Sequence, residues 1–180
     1  MRITGGGLKG RQIAVPAGVI RPAMDRMRES VFACLGDLNG LSFLDIFSGS
    51  GIIALEAASR GASIVEAVEQ DKLKRKTLLD NVSISPVRIN CRFMPAELYI
   101  KRSKTSFDII FLDPPFPYPY KWDLISNIAS SALVSDGSRI LIHRPRQDYQ
   151  KTDIPALKKT DSREYGNSVV DFYCFFNKIR

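Results

Sequence analysis

Hydrophobic positions fall into two spacings along this chain. Phe43, Leu44, Ile46 and Phe47 form a near-continuous apolar run, as expected of a strand covered on both faces. The run enters Ser48-Gly49-Ser50-Gly51, after which Ile52, Leu55, Ala58 and Ser59 recur at helical spacing. Gly61 suits the end of that helix. Strand, glycine turn and helix are therefore predicted over 42–61, and the rest of the chain is organised around them. Ile64 to Glu69 reads as a second strand. Asp71 can cap a helix carrying Leu73, Leu78, Leu79 and Val82, which Pro86 ends. Val87, Ile89 and Cys91 alternate as a third strand, and a short helix with Leu98 and Tyr99 follows Pro95. Phe107 to Leu112 is a fourth strand, running into Asp113-Pro114-Pro115-Phe116. A helix from Trp122 to Leu133 turns Leu124, Ile125 and Ile128 inward, and Asp136-Gly137 leads into a strand over Arg139 to Ile142.

The two ends read differently. Arg2 to Val15 alternate around glycines and predict a small β-hairpin, with Pro16 to Pro22 as a linker. A helix from Asp25 places Met27, Val31, Cys34, Leu35 and Leu38 on one face, with Arg26 and Arg28 off it. Leu157 to Arg163, a turn at Tyr165-Gly166-Asn167, and Ser168 to Phe176 make a second hairpin. Strand–helix units followed by an antiparallel pair predict a mixed α/β sheet. One domain is expected, with residues 1–22 as a basic hairpin and linker and 23–180 as the core.

Composition narrows the class. The chain has 180 residues, 44% hydrophobic and 25% charged, which are globular values. No apolar run approaches the roughly 20 residues that span a bilayer, and residues 1–7 lack the apolar core of a signal peptide. Cys34, Cys91 and Cys174 are odd in number, sit in apolar patterns and lack metal-ligand spacing. They predict reduced core thiols in a cytoplasmic protein without a metal. The net charge of +7 points to a polyanionic partner, nucleic acid first. Residues 1–30 hold Arg2, Lys9, Arg11, Arg21, Arg26 and Arg28 against Asp25 and Glu29, six against two, an excess of four. A solvated basic surface is the plainer alternative.

Two stretches carry candidate chemistry. Gly49-Ser50-Gly51-Ile52-Ile53-Ala54 fits the G-x-G-x-x-A nucleotide turn, and Glu69 lies 20 residues beyond Gly49, where a ribose-binding acid is expected. Asp45, inside the preceding strand, would repel a pyrophosphate but complements a cationic ligand. S-adenosylmethionine, with its sulfonium and ammonium groups, is such a ligand. A buried aspartate tied to the amides of the turn is the structural alternative. Asp113-Pro114-Pro115-Phe116 stands at a strand end, where open α/β sheets gather their sites. The two prolines hold backbone carbonyls rigidly as acceptors. An exocyclic amine on a base has its lone pair delocalised into the ring. Hydrogen bonds from its N–H groups to the Asp113 carboxylate and the Pro114 carbonyl would orient that lone pair, and Phe116 could stack on the base. A rigid proline turn ended by a core phenylalanine is the alternative.

The ordering of D-x-F-x-G-x-G, a later acidic strand end and D-P-P-F resembles the S-adenosylmethionine-dependent amino methyltransferases. The closer resemblance is to the RsmD family, which methylates a guanine amino group of small-subunit (16S) ribosomal RNA. Arg2-Ile3-x-Gly5-Gly6-x-Leu8-Lys9-Gly10-Arg11 is similar to that family's N-terminus, as is Arg21-Pro22-x-x-Asp25-Arg26-x-Arg28-Glu29-Ser30-x-Phe32. So are Asp45 to Ala62, Asp113 to Phe116 and Tyr165-Gly166. The resemblance implies a Rossmann-like fold with a seven-stranded mixed sheet. It also implies S-adenosylmethionine bound by Asp45, Phe47, Ser48, Gly49, Gly51 and Glu69, and Asp113, Pro114, Pro115 and Phe116 at the reacting amine. Lys9, Arg11, Arg21, Arg26 and Arg28 are expected on RNA phosphates, and the protein is expected to be a monomer acting on ribosomal RNA or on a small subunit. Three positions depart from the family. Ala23 and Met24 follow Arg-Pro where threonine is frequent. Phe93-Met94-Pro95-Ala96 stands where an adenine-binding acid is common. His143, the only histidine, stands where an acid usually ends the fifth strand; a surface or packing role is expected of it ahead of a catalytic one. A DNA amino methyltransferase, a nicotinamide oxidoreductase and a non-catalytic RNA-binding protein remain as alternatives.

Overall fold

The computed structural model describes residues 1–16, 24–149 and 153–177. Helix α1 (Met24–Leu35) leads into strand β1 (Ser42–Ile46), helix α2 (Ile52–Ser59) and strand β2 (Ile64–Val68). A 3₁₀ turn (Lys72–Lys74) opens into α3 (Arg75–Val82), followed by β3 (Ile89–Arg92), α4 (Ala96–Arg102) and β4 (Ile109–Leu112). Then come α5 (Lys121–Ala129), β5 (Arg139–Pro145), β6 (Leu157–Tyr165) and β7 (Ser168–Phe175). The strands form one seven-stranded sheet in the order β3-β2-β1-β4-β5-β7-β6. The pairs among β1 to β5 are parallel, and β7 runs antiparallel between β5 and β6. The order reverses between β1 and β4, so a crevice opens at their carboxyl ends.

Alternation along the strands divides the core into two layers. Phe43, Val65, Ile109, Phe111 and Leu141 face Met27, Phe32, Ile53 and Leu55 of α1 and α2. Leu44, Ile46, Ile110, Leu112 and Ile140 face Tyr99, Ile100, Leu124 and Ile125 of α4 and α5. Both faces of β4 are covered, and all four of its residues are buried. That is why this strand reads as an unbroken apolar run. Every residue of α2, the helix after the glycine turn, is buried as well.

Several expectations shift. The N-terminal hairpin reduces to a turn with one antiparallel bridge, Arg2 to Gln12, held by Ile3 N–H on Arg11 O (2.9 Å) and Ile13 N–H on Met1 O (2.8 Å). Leu73 and Leu79 lie outside the core, 91% and 41% exposed. The 3₁₀ turn changes the angular register before α3 begins, so only Leu78 of that set is fully buried. The three cysteines are unpaired but only half-buried. Helix α5 ends at Ala129, four residues earlier than predicted. Strand β5 runs three residues beyond Ile142, because β7 pairs with it as far as Pro145 opposite Ser168. No helix among the described residues is long and apolar enough to cross a membrane.

Candidate active site

The loop after β1 is built from strained and crowded backbone. Gly51, the residue before α2, has φ 82°, and a Cβ there would lie 2.7 Å from Leu78 Cδ1. Only glycine meets both conditions. Phe47 takes φ 67°, a costly conformation for a non-glycine residue and one that concentrates at functional sites. Asp45 lies beneath the loop at 1% exposure. Its Oδ2 accepts from Ser48 Oγ (2.6 Å) and from Ala54 N–H (3.2 Å), so one oxygen performs the structural role. Oδ1 is buried and takes no hydrogen bond among the described residues. Burial pushes the Asp45 pKa up from 3.8 to about 7, against the Ser48 bond, and the charges of Asp113 and Glu69 push the same way. Glu69 follows β2 and is buried; its Oε2 accepts from Gly49 N–H and its Oε1 from Asp71 N–H, both at 2.8 Å. Arg75 lies over the Phe93 ring at 4.6 Å, beside the apolar stretch where an adenine-binding acid is absent.

Asp113 leaves β4 next to that loop, its N–H donating to Ile46 O (3.2 Å) at the end of β1. The proline turn after it is held from within. Pro115 O accepts from Tyr118 N–H (2.8 Å). Lys121 is 4% exposed, and its Nζ donates to Phe116 O (2.9 Å), Tyr118 O (2.5 Å) and Asp148 Oδ2 (2.6 Å). These bonds leave the Pro114 carbonyl unspent within the loop among the described residues. Phe47, Tyr118 and Tyr120 form a row of edge-on rings, with centroids 5.4 and 5.9 Å apart, that links the two loops. A cleft of about 900 Å³ opens beside half-buried Phe116, lined by Lys121, Trp122, Asp148, Tyr149 and Ile154. Sequence reasoning missed Lys121. Its one signal is a lysine in the first turn of a helix, where the dipole disfavours a cation.

Of the two roles expected of His143, packing holds and the surface does not. It is buried in β5, two residues before Pro145 ends the strand, with Nδ1 2.8 Å from Asp113 Oδ1 and its ring edge-on to Phe116 at 5.5 Å.

The proposed RNA-contacting residues divide. Lys9, Arg11 and Arg26 are exposed. Arg28 is a correction: at 0% exposure it cannot grip a phosphate on the surface. It donates to Asp25 Oδ1 (2.6 Å), Arg2 O (2.8 Å) and Glu56 Oε1 (3.3 Å). Glu56, buried in α2, also accepts from Thr4 N–H (2.6 Å), Thr4 Oγ1 (2.8 Å) and Arg60 Nε (3.3 Å). Arg28 therefore fastens the N-terminal turn to the helix behind the glycine loop. Gly6 serves the same contact, since a Cβ there would fall 1.8 Å from Ser59 O. Arg21 lies outside the described residues.

Asp45, Glu69 and Asp113 thus gather at one sheet edge, and Asp45 keeps a buried oxygen unpaired. A dinucleotide phosphate fits this anionic edge poorly, and the cationic groups of S-adenosylmethionine fit it well. The sheet order and this loop define an S-adenosylmethionine-dependent methyltransferase. The chain belongs to the RsmD family, described as Conserved hypothetical protein 95, which matches residues 1–174. Over 146 residues it is 30% identical to ribosomal RNA small subunit methyltransferase D of Escherichia coli, covering 79% of this chain and 73% of that protein. The protein of the same name from Haemophilus influenzae is 29% identical over 153 residues, 79% of this chain and 77% of its own length. The solved structure of yhhF from Escherichia coli superposes with TM-score 0.89 at 26% identity, covering 98% of each chain.

Proposed function

We propose that this protein methylates the exocyclic N2 amine of a guanine in small-subunit ribosomal RNA. The observation that carries the reading is the placement of Asp113 against the end of β1, one residue from the cofactor loop. When bound, S-adenosylmethionine supplies an electrophilic methyl group. The chain's own residues act on the amine. The Asp113 carboxylate and the Pro114 carbonyl accept its two N–H groups and turn its lone pair toward the loop. Phe116 offers a ring face to the base, and Lys121 fixes the carbonyls that shape the turn. Rate then rests on positioning. After transfer, one amine proton leaves to Asp113 or to water. Exposed Lys9, Arg11 and Arg26 supply phosphate contacts. The RNA assignment draws on the relatives named as small-subunit methyltransferases.

A parallel assay tests the substrate class. The protein is incubated with labelled cofactor and with duplex DNA, naked ribosomal RNA or assembled small subunits. Label in RNA, free or assembled, is expected. Incorporation into DNA alone would favour the DNA amino methyltransferase. Tight NAD binding without S-adenosylmethionine binding would favour an oxidoreductase.

A further inference from the structure

We propose that His143 is a positioning residue that donates Nδ1–H to Asp113 and aims the remaining carboxylate oxygen at the target amine. The proposal rests on the reading of Asp113 as the amine's acceptor. It starts from geometry. Parallel pairing sets Leu112 opposite Ile142, so Asp113, the first residue after β4, lies beside His143, the next residue of β5. Their side chains meet at 2.8 Å, Oδ1 to Nδ1. An ionised carboxylate has no proton to give, so the hydrogen between them sits on Nδ1. In a neutral ring Nε2 is then a bare lone pair. It is buried and takes no hydrogen bond among the described residues. An N–H in that place would be an unpaired buried donor, the costlier arrangement.

This pairing shapes the site in two ways. Oδ1 already accepts from the imidazole, so Oδ2 is the oxygen with both lone pairs open to a substrate amine. The same ring stands edge-on to Phe116 at 5.5 Å, so one side chain braces both the acceptor and the stacking face. A carboxylic acid at position 143, as the family resemblance implies, would set two acids side by side and leave them to share a proton. Histidine gives Asp113 a donor in place of a like charge.

The chain has a single histidine, so its imidazole nitrogens give one unambiguous NMR signal set. At neutral pH the expected spectrum is the Nδ1-protonated tautomer with a slowly exchanging ring proton, lost in Asp113→Ala. Kinetics supply the second readout. His143→Leu removes the donor at similar size; kcat should fall about 10- to 100-fold with cofactor Kd unchanged. His143→Asn places an amide N–H near the position of Nδ1 and should recover most of that loss. Protonation on Nε2, or His143→Leu turning over like wild type, would overturn the positioning role alone. Equal loss in the Asn and Leu variants with a weakened cofactor Kd would make the residue merely structural. A wild-type protein inactive on every nucleic acid would instead overturn the methyltransferase reading and this proposal with it. Should His143→Leu fail to fold, the tautomer in wild type and in Asp113→Ala decides.

Discussion

Burial raises the Asp45 pKa from 3.8 to about 7, with Asp113 and Glu69 adding to the effect. Between those two values the folded chain holds a proton that the unfolded chain has released. The contribution of this group to stability is therefore complete below pH 3.8 and is lost as the pH rises through about 7. A cationic ligand reverses the preference, because it favours the ionised form. Cofactor affinity should accordingly increase from about pH 5.5 to about pH 7.5 in wild type and stay flat in Asp45→Asn. That variant should bind the cofactor about 1–3 kcal/mol more weakly at the upper pH. It should also unfold at a higher temperature than wild type at about pH 8 without cofactor. Calorimetric titration and thermal melts measure the two, and unchanged affinity in a folded variant would leave Asp45 with only its bonds to Ser48 and Ala54. Asp113→Ala and Phe116→Ala should separate the other way, with kcat down about 100-fold or more and cofactor Kd within a few-fold of wild type. Single-turnover kinetics beside binding curves decides, and equal damage to both quantities would make the turn structural. Asp45, Glu69 and the D-P-P-F turn are readable in the sequence because each sits at a strand end that the apolar pattern marks. Arg28 is not, because its burial depends on Glu56, 28 residues away, whose own helix reads as a simple apolar run. The pairing of His143 with Asp113 needs the β4–β5 register, which local pattern does not contain.

At the level of elements, α3 approaches the loop closely because Gly51 lacks a side chain. Gly51→Ala must accommodate a φ of 82° and a contact of 2.7 Å to Leu78 Cδ1. A cost of about 2–3 kcal/mol is expected, from the left-handed backbone and the crowding together. Urea unfolding gives the stability, and the same samples should show cofactor affinity reduced, since the loop amides move with the helix. A variant of wild-type stability and affinity would mean that the loop has slack that this packing does not show. The strands of the central sheet are legible as elements because double-sided burial leaves an apolar run. The α3 face is not, because the 3₁₀ turn at Lys72–Lys74 rotates the helix relative to its own apolar spacing and leaves Leu73 in solvent. The length of β5 depends on its antiparallel partner β7, a pairing between segments far apart in sequence.

For the molecule as a whole, the net charge of +7 finds a use beside the site only where side chains remain free to reach a polyanion. The N-terminal turn is fastened to α2 through Glu56 and Ser59, and it is tied to the glycine loop through Asn81. The Asn81 side chain bonds Ala14 N–H and O (both 2.9 Å) and Ser50 O (2.8 Å). Lys9 and Arg11 therefore project from a turn fixed on α2, with Leu8 N–H on Ser59 Oγ (2.9 Å). Their replacement by alanine together should flatten the salt dependence of RNA affinity by about 1.4–1.8 units of slope, with cofactor affinity unchanged. A wild-type slope would reduce them to solvated surface.

The chemistry itself is tested most directly by the identity of the methylated nucleoside. Small subunits and their naked RNA, lacking the modification, are treated with the protein and a methyl-labelled cofactor, digested to nucleosides and resolved by mass spectrometry. N2-methylguanosine as the one labelled nucleoside, absent from the Asp113→Ala reaction, is the expected result. Label on an adenine or cytosine amine, or on the ring of any base, would contradict the arrangement of Asp113, Pro114 and Phe116 around a guanine amine.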